Sequence, residues 1–145
     1  MPAVERAFTV TAPPTVVLDY LSDFTNTEQW DPATQQTVRI DDGPIQPGAT
    51  WRNTSRVFGR DAEITYTLQQ RTGDSLVFVG RNDTLTSTDT ITVRHHGAGS
   101  EVTYHVDLDL HGIAVLAAPV MKLEFEKLAH DTERRLTEVL NTLRG

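Results

Sequence analysis

Polar and apolar residues alternate along most of the chain between residues 50 and 111, and the final 27 residues then change to a helical period. Successive side chains of a β-strand point to opposite faces, so this alternation predicts antiparallel strands with one apolar and one wetted face. A single amphipathic helix is the element left to cover the apolar face. The sequence therefore predicts an α+β fold, in which one long C-terminal helix closes a curved antiparallel sheet around space for a mostly apolar small molecule.

Length and cysteine content bound the class of protein. A chain of 145 residues fits one domain spanning residues 1–145, and it is long enough to bury about two thirds of its unfolded surface. Without cysteine it has neither a disulfide framework nor a thiolate ligand or nucleophile. The first residues lack the basic head and apolar run of a signal peptide, and no run of about 18 apolar residues occurs. We expect a soluble, cytoplasmic protein without an integral membrane segment.

The net charge of −7 is unevenly distributed along the chain. Residues 119–145 carry five basic and five acidic side chains, whereas the remainder carries eight basic and fifteen acidic ones. The predicted sheet is therefore strongly acidic. Because nucleic-acid binding depends on basic surfaces that neutralise phosphates, we expect no nucleic-acid partner.

Turn and cap signals divide the rest of the chain. Residues 3–10 alternate as a first strand, and two prolines then open a helix with Thr11 or Ala12 near its N-cap. A second, short helical turn at residues 26–30 is stopped by Asp31 and Pro32, and we assign Asp31 no other role. Six further strands are predicted at residues 37–40, 49–58, 64–69, 76–83, 84–94 and 101–111.

The last helix begins at Ile113 or, at the latest, at Pro119. Apolar side chains that include Met121, Phe125 and Leu128 fall within one arc of its helical wheel. Two interpretations remain open. The arc is ordinary core, or its first turns roof a pocket in which a methionine adapts to variable ligand shapes.

Four short motifs and the final amphipathic helix carry a resemblance to a known superfamily. The motifs are QWDP at 29–32, DGPIQPGATW at 42–51, SLVF at 75–78 and GSEVTY at 99–104. In the order strand, helix, short helix, six strands and long helix, they resemble the polyketide cyclase/dehydrase and lipid-transfer-like (SRPBCC) superfamily, which includes the START domains and the birch-pollen allergen type. The resemblance implies a helix-grip fold: a seven-stranded antiparallel sheet wrapped around the last helix, two short helices between strands 1 and 2, and an internal apolar cavity. Members include cyclases, carriers, sensors and partner-binding proteins, so the fold does not select among these functions.

Strand parity selects the side chains that face this cavity. If Tyr66, Tyr104 and Ile91 point inward, Asp89 and Ser87 do so as well, and Trp51 brings Asn53 and Ser55 with it. The candidate ligand-binding residues are Trp30, Trp51, Asn53, Tyr66, Phe78, Asp89, Tyr104, Met121 and Phe125. The two tryptophans either stack on a flat ligand or fill the space between helix and sheet.

Asp89 is the candidate with possible chemistry. A carboxylate on a largely apolar face has a raised pKa and suits a general acid or base for enolisation or dehydration. Tyr66 and Tyr104 would then orient a ligand carbonyl. The alternative is that Asp89 lies near a strand end, hydrated or hydrogen-bonded to a neighbouring hydroxyl, without a catalytic role.

The histidines do not predict a metal centre. His105 and His111 share one strand face, but six residues of strand separate them by about 20 Å, whereas a zinc ligand lies about 2.1 Å from its metal. With no cysteine, scattered histidines and no glycine-rich phosphate loop, we expect neither a metal nor an organic cofactor.

Three functions from different classes remain. The first is a carrier or sensor that binds a hydrophobic small molecule, such as a lipid, a polyketide or a similar aromatic or carbonyl compound. The second is a cofactor-independent cyclase or dehydratase that uses Asp89 and the two tyrosines. The third is a protein-interaction module with a filled pocket. In each case we expect a monomer or homodimer.

Overall fold

The computed structural model describes residues 3–57, 59–112 and 118–143, with residues 57 and 118–122 described by their backbone alone. Its elements follow in the order β1, α1, a 3₁₀ turn, α2, β2 to β7 and α3. The helices are α1 Pro14–Ser22, the 3₁₀ turn Phe24–Asn26, α2 Thr27–Trp30 and α3 Ala118–Leu140. The strands are β1 Ala3–Val10, β2 Thr34–Arg39, β3 Thr50–Val57, β4 Arg60–Arg71, β5 Ser75–Arg81, β6 Leu85–His96 and β7 Gly99–Leu110.

The seven strands form one curved antiparallel sheet in the order β1-β7-β6-β5-β4-β3-β2. Consecutive strands from β2 to β7 are neighbours, and β1 pairs with β7, so β1 and β2 lie at opposite edges of the sheet. With α3 on the concave face and the two short helices between β1 and β2, this is the helix-grip architecture that the sequence predicts. The prediction of the fold class is confirmed.

Alternation determines which side chains are buried, as expected from strand parity. In β6, Ser87, Asp89, Ile91 and Val93 are buried, while the residues between them are partly exposed. The two register shifts, one between Thr34 and Gln36 in β2 and one between Leu68 and Gln70 in β4, interrupt the regular pairing. Such bulges bend a strand and increase its twist, which suits a sheet that must curve around a helix.

The start of α1 differs from the prediction. Its N-cap is Pro13 in an extended conformation, without a side-chain cap, and Pro14 occupies the first turn, where its missing N–H costs little. Thr11, predicted near the cap, instead donates to Asn141 just after α3, through its backbone N–H at 2.9 Å and its hydroxyl at 3.2 Å. The hydroxyl therefore ties the end of α3 to the end of β1.

An aromatic cluster fills one end of the concave face. Phe24, from the 3₁₀ turn, stacks on Tyr66 with ring centroids 4.3 Å apart and also meets Phe78 at 4.8 Å and Trp51 at 6.0 Å. Trp51 and Phe78 are fully buried. Aromatic pairs at these separations contribute beyond simple burial of area. This end of the interior is therefore closely packed.

Helix α3 crosses the other end of the concave face, where it contacts β1 and α2. Leu136 and Leu140 from its last two turns are fully buried in the core. The expected start at Ile113 lies outside the described residues, and the helix is described from Ala118. None of the helices in the described part of the chain is long and apolar enough to cross a membrane.

Leu136→Ala is expected to lower the free energy of unfolding by about 2–5 kcal/mol, because it truncates a fully buried side chain and leaves a cavity. Leu123 lies on the same helix but is 75% exposed, so Leu123→Ala should change stability by less than about 0.5 kcal/mol. Urea unfolding of both variants measures the difference. Equal effects would mean that α3 does not seal the core through its last turns.

Candidate functional site

A cavity of about 280 Å³ lies between α3 and the part of the sheet that the aromatic cluster leaves uncovered. Much of its wall is apolar, with contributions from β1, β4, β7 and α3. The apolar lining includes Val4, Phe8, Ile64, Leu85, Val106, Leu108, Phe125 and Leu128. The polar lining includes Arg6, Asp31, Ser55, Tyr66, Ser87, Asp89, Tyr104, Thr132 and Glu133.

Asp89 lies in the wall of this cavity and is only 4% exposed. It occupies the middle of β6, not a strand end, so one half of the alternative interpretation is wrong. The other half, a hydrogen bond to a neighbouring hydroxyl, is present. The Ser87 hydroxyl donates to Oδ1 at 2.8 Å, and the Tyr104 hydroxyl donates to Oδ2 at 2.9 Å. Two hydroxyl groups therefore hold the carboxylate in a fixed orientation facing the cavity.

The electrostatic environment disfavours ionisation of Asp89. Burial raises its pKa from 3.8 to about 6; the hydroxyls of Ser87 and Tyr104 oppose this shift, and the nearby carboxylate of Asp31 adds to it. Burial, with the charge of Asp89, also raises the pKa of Tyr104 well above 10, so this phenol remains a hydrogen-bond donor. A carboxyl that titrates near neutrality, beside a protonated phenol, can donate or accept a proton at physiological pH.

Asp31 has a larger part in the site than the sequence indicates. It does end α2, as predicted, but its side chain also lines the cavity. Its oxygens accept hydrogen bonds from the Ala33 N–H at 3.0 Å and the Thr34 hydroxyl at 2.8 Å. Burial raises its pKa, and the charge of Arg135 partly opposes that shift. The sequence predicts the helix stop, which is confirmed, but not the position of this side chain in the cavity wall.

Arg6 and Glu133 form a second feature that sequence reasoning did not identify. Their side chains approach to 3.9 Å across the gap between β1 and α3, and both line the cavity. Parity could have found Arg6, because it lies between Val4 and Phe8 on the inward face of β1. Both side chains are about one third exposed, so the pair contributes little to stability.

The predicted ligand contacts fall into two groups. Tyr66, Asp89, Tyr104 and Phe125 lie together in the cavity wall. Trp51 and Phe78 lie in the aromatic cluster with Phe24, and Trp30 packs edge-on against Tyr104 with centroids 5.7 Å apart. The side chain of Met121 lies outside the described residues. A role in ligand binding stays a prediction for each of them.

Asn53 belongs to a buried hydrogen-bond network. Its amide donates to the hydroxyls of Thr34 at 3.0 Å and Thr37 at 2.9 Å, and its carbonyl oxygen accepts from Ser55. Thr37 in turn shares a hydrogen bond of 2.6 Å with Thr27. Asn53 is 1% exposed, and its two amide protons are both used within the protein. Ser55, and not Asn53, brings this network to the cavity wall.

The histidine-bearing face of β7 points away from the cavity. His105 lies between the carboxylates of Glu5 and Asp107, with 3.1 Å to each. Within the described ranges, no three acidic or histidine side chains converge to form a metal site. The face is a partly exposed surface with pairwise contacts.

Comparison with known proteins identifies the family. A sequence model of the polyketide cyclase / dehydrase and lipid transport family matches residues 1–143. The chain belongs to this family. A search of curated protein sequences found no significant match.

Solved structures share the architecture at low sequence identity. The aromatase/cyclase Zhui from Streptomyces sp. R1128 has a TM-score of 0.75 at 13% identity, covering 97% of this chain and 91% of that one. A STAR-related lipid transfer protein from Xanthomonas axonopodis has a TM-score of 0.74 at 14% identity, covering 95% and 85%. A protein from Thermus thermophilus has a TM-score of 0.74 at 14% identity, covering 95% and 99%. At these identities the likeness shows the shared fold alone.

Asp89→Asn is expected to stabilise the protein at about pH 7.5 and to leave its stability nearly unchanged at about pH 4. The pKa of Asp89 is higher in the folded state than in the unfolded state, so wild-type stability falls as the pH rises from about 4 through 6. The full shift corresponds to about 3 kcal/mol. Urea unfolding at the two pH values measures this difference. A variant that is less stable at pH 7.5 would show that the carboxylate is held by interactions stronger than its burial cost.

Proposed function

We propose that this protein binds a hydrophobic small molecule in the cavity between α3 and the sheet, as a carrier or sensor. The observation that carries the proposal is the cavity itself: a largely apolar wall that includes a hydrogen-bonded polar group of Asp89, Ser87 and Tyr104. An apolar cavity with a few convergent polar groups is the usual form of a small-molecule site. Family membership supports the same conclusion.

The size of the cavity limits the ligand. About 280 Å³ lies just below the roughly 300–1,000 Å³ that is typical of ligand pockets. This volume suits a compound of one or two fused rings, or a short acyl chain, better than a full phospholipid. It also disfavours the third function considered above, an interaction module whose pocket is filled.

Ala129→Trp tests the binding proposal. Ala129 lies on α3 and lines the cavity, so an indole there should fill the space and weaken binding of a neutral apolar probe at least about tenfold. Overpacking of a close-packed core costs about 1–3 kcal/mol, and an empty cavity should accept the added volume at the low end of that cost. Fluorescence titration with N-phenylnaphthylamine and urea unfolding measure the two effects.

Lys127→Trp is the matched control, because Lys127 lies on the same helix and is exposed. It should leave probe affinity unchanged. If wild-type protein bound no apolar probe, or if Ala129→Trp lost most of its stability, the space would be core and not a binding site.

A second candidate function rests on Asp89. The Asp89 carboxyl has a pKa of about 6, is hydrogen-bonded to the Tyr104 phenol and faces a largely apolar cavity. Such a group suits proton transfer at a carbon next to a carbonyl group. The protein would then act as a cofactor-independent cyclase or dehydratase. The fold it shares with an aromatase/cyclase is compatible with this chemistry.

Deuterium exchange into an aryl β-keto thioester tests the second candidate function, because it reports proton transfer at a carbon next to a carbonyl group. If Asp89 is the acid or base, Asp89→Asn should slow exchange about 100-fold or more, and the wild-type rate should change with an inflection near pH 6. Asp109→Asn removes the same charge from an exposed site on β7 and should leave the rate unchanged. Exchange no faster than in buffer, with the apolar probe still bound, would leave the carrier or sensor function alone.

A further inference from the structure

The charge of Asp89 has no cationic partner among the described residues of the cavity. Its two oxygens accept from the hydroxyls of Ser87 and Tyr104, which are neutral donors. Each carboxylate oxygen can accept two hydrogen bonds, so one acceptor position remains on each. A buried carboxylate normally has a positive partner, because burial of an uncompensated charge is costly.

The other charged groups around the cavity do not supply that partner. Among the described lining residues, Arg6 is the one cation, and its guanidinium faces Glu133 at 3.9 Å. At the end of α2, the carboxylate of Asp31 places a second negative charge near Asp89. The positive charge of Arg135 on α3 acts on Asp31, whose pKa it lowers.

Two tyrosines complete the surroundings of Asp89. Tyr66 on β4 and Tyr104 on β7 both line the cavity, and the pKa of each is raised well above 10 by burial and by the charge of Asp89, so both stay neutral. The described wall of the cavity therefore places aromatic faces beside Asp89, whose charge is not balanced by a base within that wall.

We propose that the cavity selects a ligand with a protonated amine at one end, whose N–H groups donate to the free acceptor positions of Asp89 while its apolar body packs against α3. This inference rests on the proposed ligand-binding function and names the class of ligand. An ammonium group supplies the missing positive charge and the missing donors together. The aromatic rings of Tyr66 and Tyr104 add a favourable environment for a cation.

The charge of the whole chain acts in the same direction. The formal net charge is −7, and residues 1–118 carry the excess of acidic side chains. A strongly negative protein raises the local concentration of cations and lowers that of anions near its surface. An anionic ligand would have to approach this surface and then lie beside two carboxylates.

Three naphthalene compounds that differ only at the polar end provide the test. Naphthylmethylamine is cationic at pH 7.5, naphthylmethanol is neutral and naphthoate is anionic. Each is titrated as a competitor of N-phenylnaphthylamine. We expect the amine to bind at least about tenfold more tightly than the alcohol, and the carboxylate to bind more weakly than both.

Asp89→Asn should reduce the ratio of amine to alcohol affinity, measured on the same variant, from at least about tenfold to less than about threefold. Asp109→Asn removes one negative charge from the exposed face of β7 and should keep the preference. Circular dichroism checks the fold of both variants. A preference for the amine that survives Asp89→Asn overturns the proposal.

The pH dependence of wild-type binding tests the same interaction without a substitution. Because a cation binds the ionised carboxylate and the pKa of Asp89 is about 6, affinity for the amine should fall about tenfold between pH 7.5 and pH 5, while affinity for the alcohol stays constant.

Equal affinity of amine and alcohol at pH 7.5, or tighter binding of naphthoate through Arg6, overturns the inference about ligand class and leaves the binding function intact. If N-phenylnaphthylamine and all three compounds fail to bind, the proposed function itself is wrong.

Discussion

A single α-helix is too narrow to cover a seven-stranded sheet, and this mismatch determines the form of the interior. Seven strands about 4.8 Å apart span roughly 29 Å, whereas a helix with its side chains is only about 10–12 Å wide. Curvature of the sheet around α3 closes part of the difference. The 3₁₀ turn closes another part, by inserting Phe24 among the rings of the aromatic cluster. The remaining space between α3 and strands β1, β4, β6 and β7 is the cavity.

The two ends of the interior therefore differ in chemistry as well as in packing. The end filled by Phe24, Trp51 and Phe78 is closely packed and apolar. The open end carries Asp31 and Asp89, whose carboxyl groups are both destabilised by burial. Buried carboxyl groups with a raised pKa, such as that of Asp89, are typical of functional sites.

Strand parity predicted which side chains face inward, but it could not predict how far along the concave face the cavity extends. Trp51 and Phe78 have the same inward parity as Tyr66 and Asp89, yet the aromatic cluster encloses them completely. Tyr66 also stacks on Phe24 but still reaches the cavity wall. The boundary between the closely packed end and the cavity depends on Phe24 and its three-residue 3₁₀ turn. Only the tertiary structure sets the position of this turn. The position of Asp31 in the cavity wall could not be predicted for a related reason, because a residue in a loop has no periodicity from which its direction can be inferred.

The network around Asn53 has a consequence for how the edge of the sheet forms. In a regular strand, residues three apart point to opposite faces, but the register shift in β2 brings Thr34 and Thr37 to the same amide. If β2 slipped by one residue against β3, the amide would lose both acceptors and remain buried and unpaired. The network thus makes the pairing of an edge strand specific to one register, although the outer side of such a strand is free to pair with other chains.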